Sequence, residues 1–333
     1  MIRPQIGMML HMQPLFGESP AALFAERARL VAELEHAGVE AVWVTEHHFD
    51  PQSVSSAPLL LLAHWAAMTT RIQLGVAAVL PAGRDPVLLA EEVALLSQLA
   101  PGRLALGFAK GGPFEAQKRA FGWGREEARG AMRDVVQGMR DALTRQRAEQ
   151  DDGALPPIQP PVHTLPSMFV ASRDSDTLAW AARQGLGWMA AQFWPLEVYD
   201  AQAAVWMQAA QGRAPDALLS RGLWIADDAD AARDHALRWL IDFRDRKQGQ
   251  WKVGFRGPMT DMSEQDAVSR MIVGSPRECA EQLRALLDGR CVPRLAFNPM
   301  HADPPVQLAQ MRRLLREVWP GVIPAAAPDR ACA

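Results

Sequence analysis

The sequence predicts an α/β fold, a single eight-stranded (β/α)8 TIM barrel with insertions, and three observations carry that expectation. Short apolar runs alternate strictly with longer amphipathic segments, the alternation repeats eight times, and 333 residues, 49% of them hydrophobic, supply one large core. Strands joined through helices run parallel, and eight such units argue for closure; a doubly wound open sheet is the competing topology.

The strands are expected at Gln5–Leu10, Ala41–Glu46, Ile72–Val79, Leu104–Ala109, Ser167–Ser172, Gly187–Ala191, Ser220–Ala226 and Arg294–Asn298, each a short β-branched or apolar run. Helical periodicity fills the spaces between them. The segments are Ala21–Ala37, Ala57–Met68, Pro86–Leu99, Arg125–Arg145, Ser175–Arg183, Leu196–Gln211, Ala229–Arg246 and Pro276–Leu287, with a last one at Pro305–Val318. Asp85-Pro86 and Ser275-Pro276 read as an N-cap followed by a first helical residue, and Gly38 closes the first helix.

Two stretches break the rhythm. Asp151 to Pro166 contains five prolines and reads as an extended connection over the outside of the barrel. Lys247 to Met271 is rich in glycine and too long for a turn, which marks it as a lid loop before the last strand. The expected division is residues 1–320 for the barrel and 321–333 for a flexible, alanine-rich C-terminal tail.

Composition excludes several functions. A net charge of −3 with interspersed signs gives no basic stripe for nucleic acid. Cys279, Cys291 and Cys332 show neither metal-ligand spacing nor an even set, which favours a reducing, cytoplasmic setting. The longest apolar run, Pro58 to Ala63, is too short for a membrane.

Chemistry concentrates at strand ends. Val42-Trp43-Val44-Thr45-Glu46-His47-His48-Phe49 runs from a buried strand into an acid and two histidines, groups that are costly there unless a site uses them. Strand alternation sends His47 and His48 to opposite faces and puts Glu46 with His48, so one metal ion does not easily take both imidazoles. Glu46 is expected to orient a neighbour and His48 to pack or hydrogen-bond. Lys110, followed by Gly111 and Gly112, combines a cation with exposed backbone N–H groups, a setting suited to a phosphate. Ser172, Arg173 and Ser175 lie where the fifth strand meets a helix N-terminus and form a second half of such a site; Ser175 reads equally as an N-cap, and Asp174 as a cap or a partner of Arg173.

The order of these motifs, Trp43 through Phe49, Leu74 through Pro81 with Asp85-Pro86, Gly102-Arg103-Leu104, and Gly107 through Gly111, resembles the luciferase-like flavin-dependent monooxygenases, with Val170-Ala171-Ser172, Gly249-Gln250-Trp251 and Val273-Gly274-Ser275-Pro276 adding to the likeness. It covers Ile6 to about Val318. What the resemblance implies is an eight-stranded barrel using reduced FMN and O2, through a flavin hydroperoxide, to oxygenate a small, mainly apolar molecule such as an aldehyde or ketone. It makes His47 the proton-handling residue beside the flavin, places Ala77 and Ala78 in an unusual, often cis, peptide under the ring, puts the flavin phosphate at Lys110, and lines the ring or substrate pocket with Trp194. Lysine at 110 stands where arginine is usual, so the bidentate fork is lost. No glycine-rich dinucleotide fingerprint follows the first strand, so the reduced flavin is expected from a separate flavin reductase. A homodimer is the family expectation, although no exposed apolar stripe is evident in the sequence. A coenzyme F420-dependent dehydrogenase on the same barrel, a non-catalytic flavin-binding subunit, and a metal-dependent hydrolase using His47, His11 or His301 with Asp303 are the alternatives.

Overall fold

The computed structural model describes residues 3–112, 114–121, 127–145, 156–248 and 262–322. Strands β1 (Gln5–Leu10), β2 (Ala41–Val44), β3 (Gln73–Val79), β4 (Leu104–Phe108), β5 (Ser167–Ala171), β6 (Gly187–Ala190), β7 (Ala217–Ile225), β8 (Ile272–Gly274) and β9 (Arg294–Pro299) alternate with helices α1 (Pro20–Ala37), α2 (Pro58–Ala66), α3 (Pro86–Leu99), α4 (Glu115–Phe121), α5 (Glu127–Thr144), α6 (Ser175–Arg183), α7 (Leu196–Ala209), α8 (Ala229–Gln248), α9 (Glu264–Ser269), α10 (Pro276–Leu287), α11 (Pro304–Arg313) and α12 (Trp319–Val322). Every strand pairing is parallel, and the ring closes through β1–β9, β9–β7 and β7–β6, giving eight barrel staves. The open-sheet alternative is thereby excluded.

The ninth strand was not foreseen. β8 pairs only with the end of β7, Leu223 to Ile225, overlapping the β7–β9 ladder at Leu223 alone. Three residues are too few to carry a period, so the stretch reads as loop in sequence. It also changes the place of the expected lid, which precedes this accessory strand. Of that segment, residues 249–261 lie outside the described residues, and with them Trp251, Lys252, Phe255 and Arg256; the rest is the end of α8 and the short helix α9. The tail expected at 321–333 is helical at 321–322, and residues 323–333 lie outside the described residues. The proline-rich connection is described from Pro156 and holds no helix or strand up to Pro166, with a cis peptide at Gln159–Pro160.

Local chemistry explains the ends that sequence reading places well. Asp85 accepts hydrogen bonds from Val87 N and Leu88 N at the start of α3, and Ser275 with Glu278 forms a capping box on α10. At α6 the cap is Asp174, whose carboxylate accepts from Thr177 N, so Ser175 is the first helical residue rather than the cap. Of the cysteines, Cys279 is a buried thiol whose pKa burial pushes up to about 12.

The barrel interior is filled by size matching. Trp43 and Phe169 meet edge to face at 5.7 Å, among Ala41, Ala105, Ala296, Met9, Met189 and Leu218. A Cβ on Gly75 would lie 2.3 Å from the Trp43 ring, so the indole occupies the space that this glycine leaves. At the N-terminal end of the barrel Arg294 closes the bottom, paired with Asp216 at 2.8 Å, donating to Gln5 and Gln73, and resting 5.2 Å over the Phe169 ring. With the bottom plugged, any cavity must open at the other end.

Candidate active site

A cavity of about 660 Å³ opens at the C-terminal face of the strands, where (β/α)8 barrels carry their sites. Its floor is the top of the barrel core, Met9, Met189 and Leu218. Ala77, Ala78, Ala109 and Ala171 keep one side free of bulk, and Trp194 walls another. The Ala77–Ala78 peptide is cis, and the β3–β4 register shifts between Val76 and Val79. Strand β3 turns a backbone surface toward the cavity at two residues without long side chains.

The rim is basic. Lys110 and Gly111 follow β4, Ser172 and Arg173 follow β5, and Arg129 reaches in from α5; all line the cavity. Arg173 sits 5.7 Å from the Trp194 ring centroid, a cation–π distance that joins the rim to the wall. Asp174, also at the rim, does not pair with Arg173. It accepts from Arg133 at 3.1 Å, lies 3.5 Å from Arg129, and is held below the ordinary aspartate range by the Thr177 hydroxyl above all, against its desolvation, with Thr177 N and the two arginines adding to the effect. Its charge is thus offset, and the rim keeps a positive balance. Ser175 is exposed on α6 and does not line the cavity, whereas Ser172 does and its hydroxyl accepts from Asp174 N.

The Glu46-His47-His48 motif divides in the structure. Glu46 is buried and acts as a hub: Oε1 accepts from His48 Nε2 at 2.8 Å and from Arg84 at 3.2 Å, while Oε2 accepts from Leu80 N at 3.2 Å. It therefore ties the end of β2 to the end of β3, just past the cis peptide. His47 does not line the large cavity. Its ring lies in two smaller hollows beside it, with Nδ1 3.7 Å from Asp50 Oδ2, and His11, which follows β1, lines both the large cavity and one of those hollows. Among the described residues, no three His, Cys, Asp or Glu side chains are grouped to hold a metal.

Three contributors to this cavity, and one residue that supports its wall without lining it, escaped sequence reading. His11, weighed in sequence only as a metal ligand, could have been found from the rule that residues at barrel strand ends face the site. Arg129, Gln192 and Arg221 had no local signal. Arg221 on β7 is 2% exposed and donates to Gln192 O at 3.1 Å and Trp194 O at 3.0 Å, and Arg270 donates to Phe193 O at 2.9 Å. Three consecutive carbonyls after β6 are thus held by two guanidinium groups. Burial, and then the like charge of Arg270, lowers Arg221 to about 10.

Comparison with known sequences agrees with this arrangement. The sequence pattern of the luciferase-like monooxygenases matches residues 5–290, and the chain belongs to that family. Among curated relatives, the N-acetyl-S-alkylcysteine monooxygenase of Bacillus subtilis (strain 168) is 30% identical over 182 residues, 53% of this chain and 53% of the relative. The chain spans about half the length of the first curated relatives it matches. Solved structures share the fold over nearly the whole chain. The monooxygenase RslO1 from Streptomyces bottropensis superposes with a TM-score of 0.79 at 22% identity, covering 95% of this chain and 99% of that one. The oxygenating constituent of 3,6-diketocamphane monooxygenase from Pseudomonas putida, in complex with FMN, gives 0.76 at 20%, covering 96% and 99%. An F420-dependent secondary alcohol dehydrogenase gives 0.68 at 14%, covering 97% and 100%.

Proposed function

We propose that the protein is a flavin-dependent monooxygenase that uses reduced FMN and O2 to insert one oxygen atom into a small, mainly apolar organic substrate, an aldehyde or ketone being the simplest case. The observation that carries this reading is the large cavity itself: a flat side built from small residues meets a basic rim within one 660 Å³ space. That pairing suits a planar ring with a phosphate tail. Lys110, Arg173 and Ser172 would hold the phosphate, with Arg129 as a further cation; Ser175 contributes only as part of the α6 N-terminus. Ala77 and Ala78 would support the ring and Trp194 would flank it. Bound reduced FMN supplies the two electrons that send the second oxygen atom of O2 to water. His47 is the proton donor or acceptor, oriented by Asp50, and Glu46 positions the strand that carries it.

The reduced flavin comes from a separate reductase, and two copies of the chain associate. Support for the dimer lies on α2 and α3, where Leu60, Leu88, Leu95 and Leu99 are exposed and the last three follow one another at spacings of seven and four along one face. Sedimentation of Leu60→Glu and Leu95→Glu should give monomers; an unchanged mass removes this face from the dimer. No helix among the described residues is long and apolar enough to cross a membrane, and the protein is proposed to work in the cytoplasm.

The deciding experiment mixes the protein with reduced FMN and air. Oxygen uptake with a long-lived absorbance transient that free flavin does not show supports the monooxygenase. Oxidation at the free-flavin rate sinks it, and reduction of coenzyme F420 by an alcohol without oxygen uptake would favour the dehydrogenase that shares the fold. His47→Ala should still bind flavin while product yield collapses; unchanged yield removes His47 from the chemistry.

A further inference from the structure

Beside the large cavity lies a second chamber of about 100 Å³, and His11 lines both. The chamber is bounded by His47, Gln52 and Ser53 after β2, by Asn298, Pro299 and His301 from β9 onward, and by Trp239, Phe243 and Arg246 on α8. We propose that this chamber seats the head group of the substrate, and that the head is a carboxylate with an N–H or O–H on the adjacent carbon. The proposal rests on the reading of the large cavity as the flavin site.

Volume limits the occupant. Room for about three waters, at about 30 Å³ each, takes a carboxylate and its neighbouring carbon but not a ring, so the body of the substrate must extend past His11 into the large cavity. Charge selects the head. Among the described residues the lining contains no aspartate or glutamate; it includes Arg246, Gln13, Gln52, Asn298 and Ser53. Among the described lining residues the one full charge outside the imidazoles is the positive Arg246 guanidinium, the complement of a carboxylate. Trp239 and Phe243 stack at 5.2 Å and 14° and offer an apolar wall to the adjoining carbon.

One acceptor stands out against this background. Gln307 is 4% exposed, its Nε2 donates to His301 O at 2.7 Å, and its Oε1 is buried without a hydrogen-bond partner. The first bond fixes which way the amide turns, so the orphan is the oxygen. A buried acceptor left unpaired is unfavourable until something donates to it. A carboxylate alone cannot do so; an N–H or O–H on the next carbon can. Simple aldehydes and ketones lack both features, and the chamber thus narrows the substrate class.

Binding of 2-hydroxyoctanoate, its methyl ester and octanoate to the full chain, with and without FMN, tests this by calorimetry. The hydroxy acid should bind at least tenfold more tightly than the ester and severalfold more tightly than octanoate. Arg246→Gln, at an exposed position, should abolish the preference over the ester, and Gln307→Met or Gln307→Leu the preference over octanoate. Equal binding of acid and ester by the unaltered protein, or retention of the preference in Arg246→Gln, overturns the proposal. The test needs no turnover, so the two readings fail separately. Acid preference without oxygen uptake sinks the monooxygenase alone, and oxygen uptake without acid preference sinks the chamber alone.

Discussion

Replacing Glu46 with glutamine removes one charge and no volume, and the hydrogen bonds around the carboxylate set the cost. It accepts three, two on Oε1 from His48 and Arg84 and one on Oε2 from Leu80 N. An amide keeps one acceptor. Whichever way it turns, its N–H groups face a partner that only donates, either the Leu80 backbone or the Arg84 guanidinium. Hydrogen bonds to charged groups contribute about 1.5–3 kcal/mol each, and a buried donor left unpaired costs a further part of that. Arg84 retains solvent access and Glu92 at 3.5 Å, which discounts its share. The expected destabilisation is about 2–3 kcal/mol, or a Tm lower by roughly 3–4 °C in a chain of this size. Because Leu80 N is the tether nearest the Ala77–Ala78 side of the cavity, FMN affinity should fall about five- to tenfold, equivalent to about 1–1.4 kcal/mol. Thermal unfolding by circular dichroism and flavin fluorescence titration read the two effects. A Tm within 1 °C together with unchanged affinity would refute the hub.

Other perturbations test separate parts of the account. Lys110→Met should weaken FMN at least tenfold while leaving riboflavin binding nearly unchanged, and equal losses for both would remove Lys110 from the phosphate. Gly75→Ala sets a methyl 2.3 Å from an indole that has nowhere to move, and overpacking of that kind costs about 1–3 kcal/mol; urea unfolding should show the loss, and Trp43→Phe should recover part of it. Glu35 is pushed up by burial but brought below the ordinary glutamate value by the N–H groups of Ile72, Arg71 and Thr70. Its contribution is therefore fully present above the unfolded value of about 4.3 and lost as pH falls through the folded one. Glu35→Gln should destabilise by a constant amount at pH 5–8, and the gap to the unaltered protein should close below about pH 4. Arg221→Met should change tryptophan fluorescence through Trp194 and raise the substrate KM, since two of the carbonyls that orient that segment lose their donor.

Much of the barrel can be read from the chain because its local signals agree with its global shape. β1, α3, α6 and α10 have the bounds that periodicity and caps place, Gln5–Leu10, Pro86–Leu99, Ser175–Arg183 and Pro276–Leu287. Where signals conflict or are short, the reading slips. The helix expected over Arg125–Arg145 is one of two, with α4 lying before it, and the last expected helix passes through a π-helical turn at Leu314–Val318 before α12. Strand β8 is too brief to announce itself. The site follows the same division. Lys110, Ser172, Arg173, Ala77, Ala78 and Trp194 converge because they end strands, which is a local property. Arg129 and Gln192 arrive through the facing of a helix and the bend of a loop, and that depends on packing between elements distant in sequence. His47 is legible as a strand-end residue, but which hollow it enters is decided by Asp50 and the chain around Ser53 to Ser55.

The switch of partner along β7 has a consequence for how such a barrel can change. β9 closes the ring on the first part of the strand, and β8 clasps only its outer end, so residues between α8 and β8 are spliced onto a scaffold already complete without them. Lengthening a connection costs little, about 0.6 kcal/mol per doubling, even where, as here, it lies between two paired staves. Inheritance can therefore rewrite the connection between α8 and β8 while every stave keeps its register.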